Sequence, residues 1–505
     1  MQVAVNSQIK RGTPQSTGSW LSRTRDTLFE PTKFADRALM LICGIGAGSA
    51  ISIALLQGFA LTLLLYWLGF LLANRSEAAK ESLAMLRSSA SIRYLAVPFS
   101  YWALICVLSS LSGIDPLNSL FYILQASLYL LLPFCVASAI SYNPSSDEEL
   151  LSRLRAALLA LVLGHSAACL LRAISLITEH ALTFGTPGPV TQSGQLVLVI
   201  PALLALSRLS RNFASIKTSS YLSATAGIIL LLSLVWIPAA CLNLVTPIVY
   251  RTIGLVLLAA LFRRHLWEAW QQLRSFTSFK APTSESIIIL GATLMAAALL
   301  INLKRGPWLA IFVQAIIFGA LFSRKAILFV LALVLVAATT ITPVRSRASA
   351  FVDDFTIFGG RQTMWAMGAE LSQRYPLGLG PHNARIMREL DSSLPESHRH
   401  MHNNFLNVAV ESGWLGVAIF CWLFYRIIAL GFRGTANRPA LPCGSSPYRA
   451  LAYLMGISIL GWQVAGLVEY NFGDGEVRIP ALMIVGLLLA AVIRLEQDPT
   501  PNESY

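Results

Sequence analysis

His402 and Asn403 are separated by nine residues from Gly413-Trp414-Leu415-Gly416, where a long polar segment gives way to apolar sequence. Histidine is the side chain whose ordinary pKa lets it take up or release a proton near neutrality. At a membrane–water boundary it could accept the proton of an attacking hydroxyl. A His-Asn pair that merely caps a membrane helix is the plainer alternative. Arg305 opens a second polar run, Lys304-Arg305-Gly306-Pro307-Trp308, between two apolar stretches. Proline is tolerated in a first helical turn, which puts this arginine near a helix N-terminus. That end of a helix attracts anions, and a guanidinium adds a planar fork matched to two phosphate oxygens. An arginine snorkelling to lipid headgroups would leave the same trace. Arg361, in Arg361-Gln362-Thr363-Met364-Trp365, is the third chemistry-bearing residue and the weakest when taken alone.

Other polar groups border the same apolar segments. His382 and Asn383 repeat the His-Asn pair, but Ser393 occupies the glycine position, so loop structure or a glycan contact are both open. His398, His400 and His402 alternate, and an extended strand would put three imidazoles on one face, as a zinc site needs. No carboxylate or cysteine completes that set, so no metal is expected. Glu411, nine residues past His402, is an acid inside an apolar run. Such groups are functional by default, or else they bond neighbouring helices. Arg172, Glu179, Gln192 and Gln195 border one polar loop and could face a donor. Glu469, Asp474, Glu476 and Arg478 border another and could receive an acceptor.

The elements that must position these residues are membrane helices. The chain has 505 residues, 55% of them hydrophobic and 12% charged, with a mean hydropathy of +0.63. That balance excludes a soluble protein. Apolar runs predict helices near 38–56, 58–73, 94–112, 118–141, 154–175, 195–209, 221–243, 247–262, 286–303, 307–322, 326–343, 405–430, 450–470 and 479–494. Some are short, and 12 to 14 transmembrane helices are expected. Lipid offers backbone groups no partners, and the runs are too long and uniform for barrel strands. The fold class is therefore all-α and polytopic. Six cysteines sit inside apolar runs with no C-x-x-C spacing, and read as small buried hydrophobes.

The net charge of +13 could suggest nucleic acid, but the basic residues cluster in loops that alternate along the chain. Lys10, Arg11, Arg23, Arg25, Lys33 and Arg37 precede the first apolar run; Arg75, Lys80, Arg87 and Arg93 fill a later loop. Positive-inside reasoning puts both termini in the cytoplasm and the 344–404 segment outside. The expected organisation is a cytoplasmic tail over 1–37, a membrane domain over 38–494 and a second tail over 495–505. Within the membrane domain, 344–404 is expected to be a loop covering the site, with a surface helix over 361–375 whose Trp365 and Met367 dip into the interface. The first 36 residues show no short apolar core with a cleavage site, so the first membrane helix is expected to direct insertion.

The R-G-x-W-L run at Arg305, the R-x-x-x-W run at Arg361, Gly378-Leu379-Gly380 and HN-x9-G-x-x-G occur in the order seen in the O-antigen ligases and their polymerase relatives. The resemblance covers roughly 300–416. It implies a multi-pass enzyme of the bacterial inner membrane with its active site at the periplasmic face. It also implies two essential arginines and an essential histidine, which map to Arg305, Arg361 and His402. Lys304, Trp308, Asn403, His382, Glu411, Gln195 and Arg172 become candidate substrate contacts. The implied reaction is metal-independent, inverting transfer of a glycan from undecaprenyl diphosphate to lipid A–core, without a cofactor and within a setting of membrane lipids. Polysaccharide polymerases and protein O-oligosaccharyltransferases share the chemistry and differ in acceptor. A carrier-lipid transporter is the reading from another class. Transporters often show inverted repeats, whereas this chain has one asymmetric insert.

Overall fold

The computed structural model describes residues 28–73, 84, 88–178, 187–209, 228, 230–231, 234, 247–274, 285–321, 339, 341–357, 360–390, 399–433 and 446–497. All regular structure among the described residues is helical. The order begins α1 (Pro31–Gly48), α2 (Ile53–Ala73), α3 (Ala90–Ser112), α4 (Pro116–Ser127), α5 (Leu132–Ile140), α6 (Asp147–Thr178) and α7 (Pro189–Leu209). It continues with α8 (Pro247–Arg274), α9 (Glu285–Ile301) and α10 (Arg305–Leu321). Short helices α11 (Thr342–Ser349), α12 (Phe351–Thr356), α13 (Arg361–Arg374) and α14 (Met387–Leu390) follow. The last three are α15 (Asn404–Phe432), α16 (Pro447–Ala465) and α17 (Gly475–Gln497).

Among the described residues, seven segments are long and apolar enough to cross a membrane: α2, α3, the α4–α5 unit, α6, α7, α15 and α17. Helices α9 and α10 are apolar but shorter. The chain is thus an all-α, multi-pass membrane protein. The expected helices over 221–243 and 326–343 fall largely outside the described residues. The most apolar stretch of α17 is 89% buried inside the protein against 39% for α2, so α17 runs through the bundle and α2 along its rim.

Amides tie the interior together. Gln314 on α10 donates to the Val197 carbonyl on α7 at 2.9 Å and to the Ile457 carbonyl on α16 at 3.0 Å. Ser458 on α16 donates to the Leu198 carbonyl on α7 at 2.9 Å. Such inter-helix bonds contribute about 0.6 to 2 kcal/mol each, since lipid offers little hydrophobic drive for one helix to meet another.

Several boundaries differ from those expected. Helix α1 starts at Pro31, so residues assigned to the N-terminal tail are helical. Phe34 and Ala35 are buried while Lys33 and Asp36 stay on the outer face. The run over 118–141 is interrupted by a 3-10 turn at Leu128–Leu131. Pro133 has no N–H to offer the turn before it, which accounts for the break. The helix expected to end at 262 continues through the charged stretch to Arg274, with Arg264 and Glu268 paired at 2.7 Å and Glu268 accepting from Ser286. Helix α7 begins at Pro189, so Gln192 and Gln195, expected at a loop border, lie within a buried helix. Helix α16 ends at Ala465 rather than continuing to 470, and its next residues form a loop over 466–474. Trp365 and Met367 of α13, expected to dip into the interface, make contacts within the protein. Trp365 donates to the Met401 carbonyl at 2.9 Å, and Met367 packs on Leu371, Met387, Met401 and Val410. This apolar face turns inward because α15 supplies a second apolar surface, which single-helix periodicity does not reveal.

Candidate active site

The sequence around His402 builds its own support. Asn403 caps α15: its Oδ1 accepts from the N–H groups of Phe405 and Leu406 at 2.9 and 3.0 Å, and its Nδ2 donates to the Leu467 carbonyl at 2.9 Å. The N–H of Asn404 donates to the Gly466 carbonyl at 2.7 Å. Its side-chain Oδ1 accepts from the N–H groups of Asn471 and Phe472, both at 3.0 Å. Two asparagines therefore clamp the 466–474 loop onto the start of α15. His402 itself has φ 48°, an uncommon value for a non-glycine residue, and is held there by the cap behind it.

Inside α15, Gly413 adopts φ 69° and ψ 178°, a conformation that breaks the i→i−4 ladder. The carbonyls of Val410 and Glu411 then accept from the N–H groups of Leu379 and Gly380 at 2.8 and 3.0 Å. Gly378 turns this loop at φ 86°, and a Cβ there would collide with the Glu411 carbonyl oxygen. The Gly378-Leu379-Gly380 run and the glycine of the histidine motif are thus two halves of one contact. It docks the 376–384 loop against the helix that carries His402.

A residue from the last loop joins this group of side chains. Glu469 accepts from Arg361 Nη2 at 3.0 Å, and its other oxygen lies 3.5 Å from His402 Nδ1. Its side chain is only 13% exposed, so this is a largely desolvated carboxylate rather than a surface ion pair. Burial alone would raise its pKa. The closeness of His402 and the charges of Arg361 and Lys304 outweigh that, and the carboxyl is held below its ordinary value. Arg305 is the first residue of α10, and the next residue approaches the same group. A Cβ on Gly306 would lie 3.2 Å from Glu469 Cγ. His402, Arg361, Glu469 and the start of α10 with Arg305 therefore converge at one end of the bundle. His400 extends this cluster, with its ring 4.3 Å from that of His402 and 5.2 Å from that of Tyr470.

The remaining candidates divide. Lys304 bears on the cluster through its charge. Trp308 donates inward to the Leu299 carbonyl at 2.9 Å and braces the turn before α10. Asn403 uses both ends of its amide for capping. Gln195 is buried and donates to the carbonyls of Ser49 and Glu476 at 2.7 and 3.0 Å, so it bridges helices. Gln192 accepts from Asn302 at 3.0 Å in the same interior. Glu411 lies beneath the 376–384 loop, its Oε1 3.5 Å from the Ala384 N–H. His382 is exposed and stacks on Tyr122, with ring centroids 4.9 Å apart and planes within 14°. Arg172 lies on α6, and among the described residues its buried Nε makes no hydrogen bond to the cluster. Glu179 and His398 lie outside the described residues. Sequence reading placed Glu469 with an acceptor loop and missed its link to Arg361 and His402. Asn404 beside the cap residue was the available signal, because a second asparagine there has no role in capping α15.

Residues 290–421 match the family model described as O-antigen ligase. No curated protein matches the chain. The matched segment runs from α9 into α15 and contains Arg305, Arg361 and His402, while Glu469 lies beyond it. Over these residues the chain resembles the O-antigen ligases, and it carries the matched segment on a helical bundle in which several helices are long and apolar enough to cross a membrane.

Proposed function

We propose that this protein transfers a glycan from undecaprenyl diphosphate to lipid A–core at the periplasmic face of a bacterial inner membrane. The observation that carries this reading is the Glu469 carboxylate, shared by Arg361 and His402 beside the start of α10. The acceptor hydroxyl gives its proton to His402 Nε2 while its oxygen attacks C1 of the donor sugar. The bond from C1 to the diphosphate breaks, and its electron pair leaves with the diphosphate. Arg305 and Arg361 neutralise the charge that grows there, and a well-placed donor of this kind is worth about 3 to 4 kcal/mol. A single displacement inverts the anomeric centre. Leu309, one turn beyond Arg305, and Leu467, two residues from Glu469, are exposed and apolar, which suits a polyprenyl tail running beside the charged groups.

Glu469 orients the base in this scheme. With Nδ1 turned toward the carboxylate, Nε2 is the ring nitrogen left for the acceptor. The carboxylate also stabilises the imidazolium formed on proton transfer. Arg361 retains further N–H groups for the diphosphate, because a guanidinium has five. Glu469→Gln removes the negative charge that steadies the imidazolium, and kcat for transfer is expected to fall by about tenfold or more. An active variant with wild-type kcat would show that the carboxylate does not act on His402.

The direct test incubates the purified protein in nanodiscs with undecaprenyl-diphosphate-linked glycan and lipid A–core, and reads product mass. Ligated glycolipid supports the reading. A lengthening carrier-linked polymer without glycolipid assigns the same site to a polymerase, and glycan on added protein assigns it to an oligosaccharyltransferase. Carrier lipid moved across the bilayer without a change in mass overturns transfer altogether.

A further inference from the structure

Beside the proposed transfer site lies a second cationic group for which the mechanism has no use. Arg478, in the first turns of α17, donates from Nη1 to the Tyr122 hydroxyl at 3.3 Å. Its guanidinium carbon stands 6.0 Å from the ring centres of both Tyr122 and Phe472. Its Nε is buried and has no hydrogen-bond partner among the described residues. No carboxylate among the described residues lies within ion-pair distance of it.

Two acids on neighbouring segments make other contacts. Asp474, one turn earlier, caps the Glu476 N–H with Oδ1 at 3.0 Å and accepts from Thr191 with Oδ2 at 2.8 Å. Burial raises its pKa, against the pull of the Thr191 and Glu476 hydrogen bonds and the charge of Arg478. Glu411 faces the Ala384 amide beneath the 376–384 loop. A guanidinium set among aromatic rings without an anion is costly unless one is supplied from outside.

The surroundings indicate what carries that anion. Tyr122 and His382 form a flat aromatic pair. Desolvation by its neighbours, followed by the charge of Arg385, pulls the His382 pKa below its ordinary value, so the ring is neutral at neutral pH. His382 holds φ 69° because the next residue is pinned. Asn383 donates to the Ser119 hydroxyl at 3.0 Å and to the Leu379 carbonyl at 2.9 Å, and accepts from Asn118 at 3.2 Å. Stacked rings beside a planar cation suit a sugar ring bearing a negative substituent. Tyr470 and His400 connect this group to His402: the His400 ring lies 5.2 Å from that of Tyr470 and 4.3 Å from that of His402.

We propose that Arg478, Tyr122 and His382 form an acceptor subsite for a negatively charged sugar, one carrying a phosphate or a carboxylate group. This rests on the glycosyl-transfer reading above, to which it adds the chemical class of the acceptor. The phosphate and carboxylate cases share one chemistry, an oxyanion received by the guanidinium fork.

Binding is measured on the full chain in nanodiscs with glucose 6-phosphate, glucuronate and glucose as probes, and with inorganic pyrophosphate as a separate probe of Arg305 and Arg361. In an Arg305→Gln/Arg361→Gln background, glucose 6-phosphate and glucuronate should still bind saturably, and glucose more weakly. Adding Arg478→Gln should weaken both anionic sugars by about tenfold to a hundredfold. The same change should leave glucose as it was. Arg478→Lys, which keeps the charge and loses the fork, and Tyr122→Phe, which keeps the ring, should each give part of that loss. Pyrophosphate binding that persists in the single Arg478→Gln variant shows that the fold and the first site are intact. The subsite is overturned if anionic sugars bind only through Arg305 and Arg361, if they do not bind at all, or if Arg478→Gln weakens glucose equally. Loss of pyrophosphate binding in Arg305→Gln/Arg361→Gln tests the donor site by itself, so the two readings can fail separately.

Discussion

His402→Asn is expected to slow glycan transfer by about 10² to 10⁴, the usual contribution of a positioned proton acceptor. Asparagine is chosen because it tolerates the left-handed backbone that His402 adopts at φ 48°. The cap formed by Asn403 and the clamp formed by Asn404 involve other side chains and stay in place. Donor binding should survive, because Arg305 and Arg361 are untouched, so the loss belongs in kcat rather than in KM for the donor. Single-turnover formation of glycolipid, read beside circular dichroism of the same sample, provides the measurement. A variant with wild-type turnover would remove His402 from the chemistry and leave the asparagine cap as the whole meaning of the motif.

Gly413→Ala should be the most damaging small substitution in α15. The residue holds φ 69° and ψ 178°, which alanine adopts only with strain of about 1 to 3 kcal/mol. A Cβ there would also collide with the Pro376 carbonyl oxygen, so the backbone of the docked loop must shift. The Leu379 and Gly380 bonds to the carbonyls of Val410 and Glu411 would go with it. A lowered apparent Tm, faster proteolysis between 376 and 384 and a loss of transfer are expected together, although no charged group has changed. Gly58→Ala is the control, because it sits inside α2 and nothing lies within 4 Å of the place its methyl group would take. Stability of that variant should be unchanged or slightly raised. Equal behaviour of the two variants would show that the kink at Gly413 is not what holds the loop.

The spacing of the histidine motif has a physical reading in these terms. Asn403 and Gly413 are separated by about three helical turns, the distance from cap to kink. One end presents His402 and the other receives the loop that follows α13. A one-residue insertion between them would rotate the kink by about 100° and turn its freed carbonyls away from Leu379 and Gly380.

Membrane helices and the order of the charged motifs were legible in the residues alone, because apolar runs and their breaks are local properties of a chain in lipid. The contacts of Trp365 and Met367 on α13 with Met401 and the start of α15 were not, since a helix read by itself does not show which neighbour its apolar face meets. The end of α16 was also misplaced by a few residues. Apolar residues run on past Ala465, but the Gly466 carbonyl accepts from the Asn404 N–H where the helix ends. That stop decides the site, because it releases Glu469 into a loop where its carboxylate can reach two other segments. Composition, helical class and the identities of Arg305, Arg361 and His402 were therefore set by sequence. The convergence of Arg361 and His402 on Glu469, the inward use of Gln195 and the seclusion of Arg478 among rings came from the tertiary structure. Contacts between residues as far apart as 361 and 469 depend on how helices dock, and no periodicity within one helix records that.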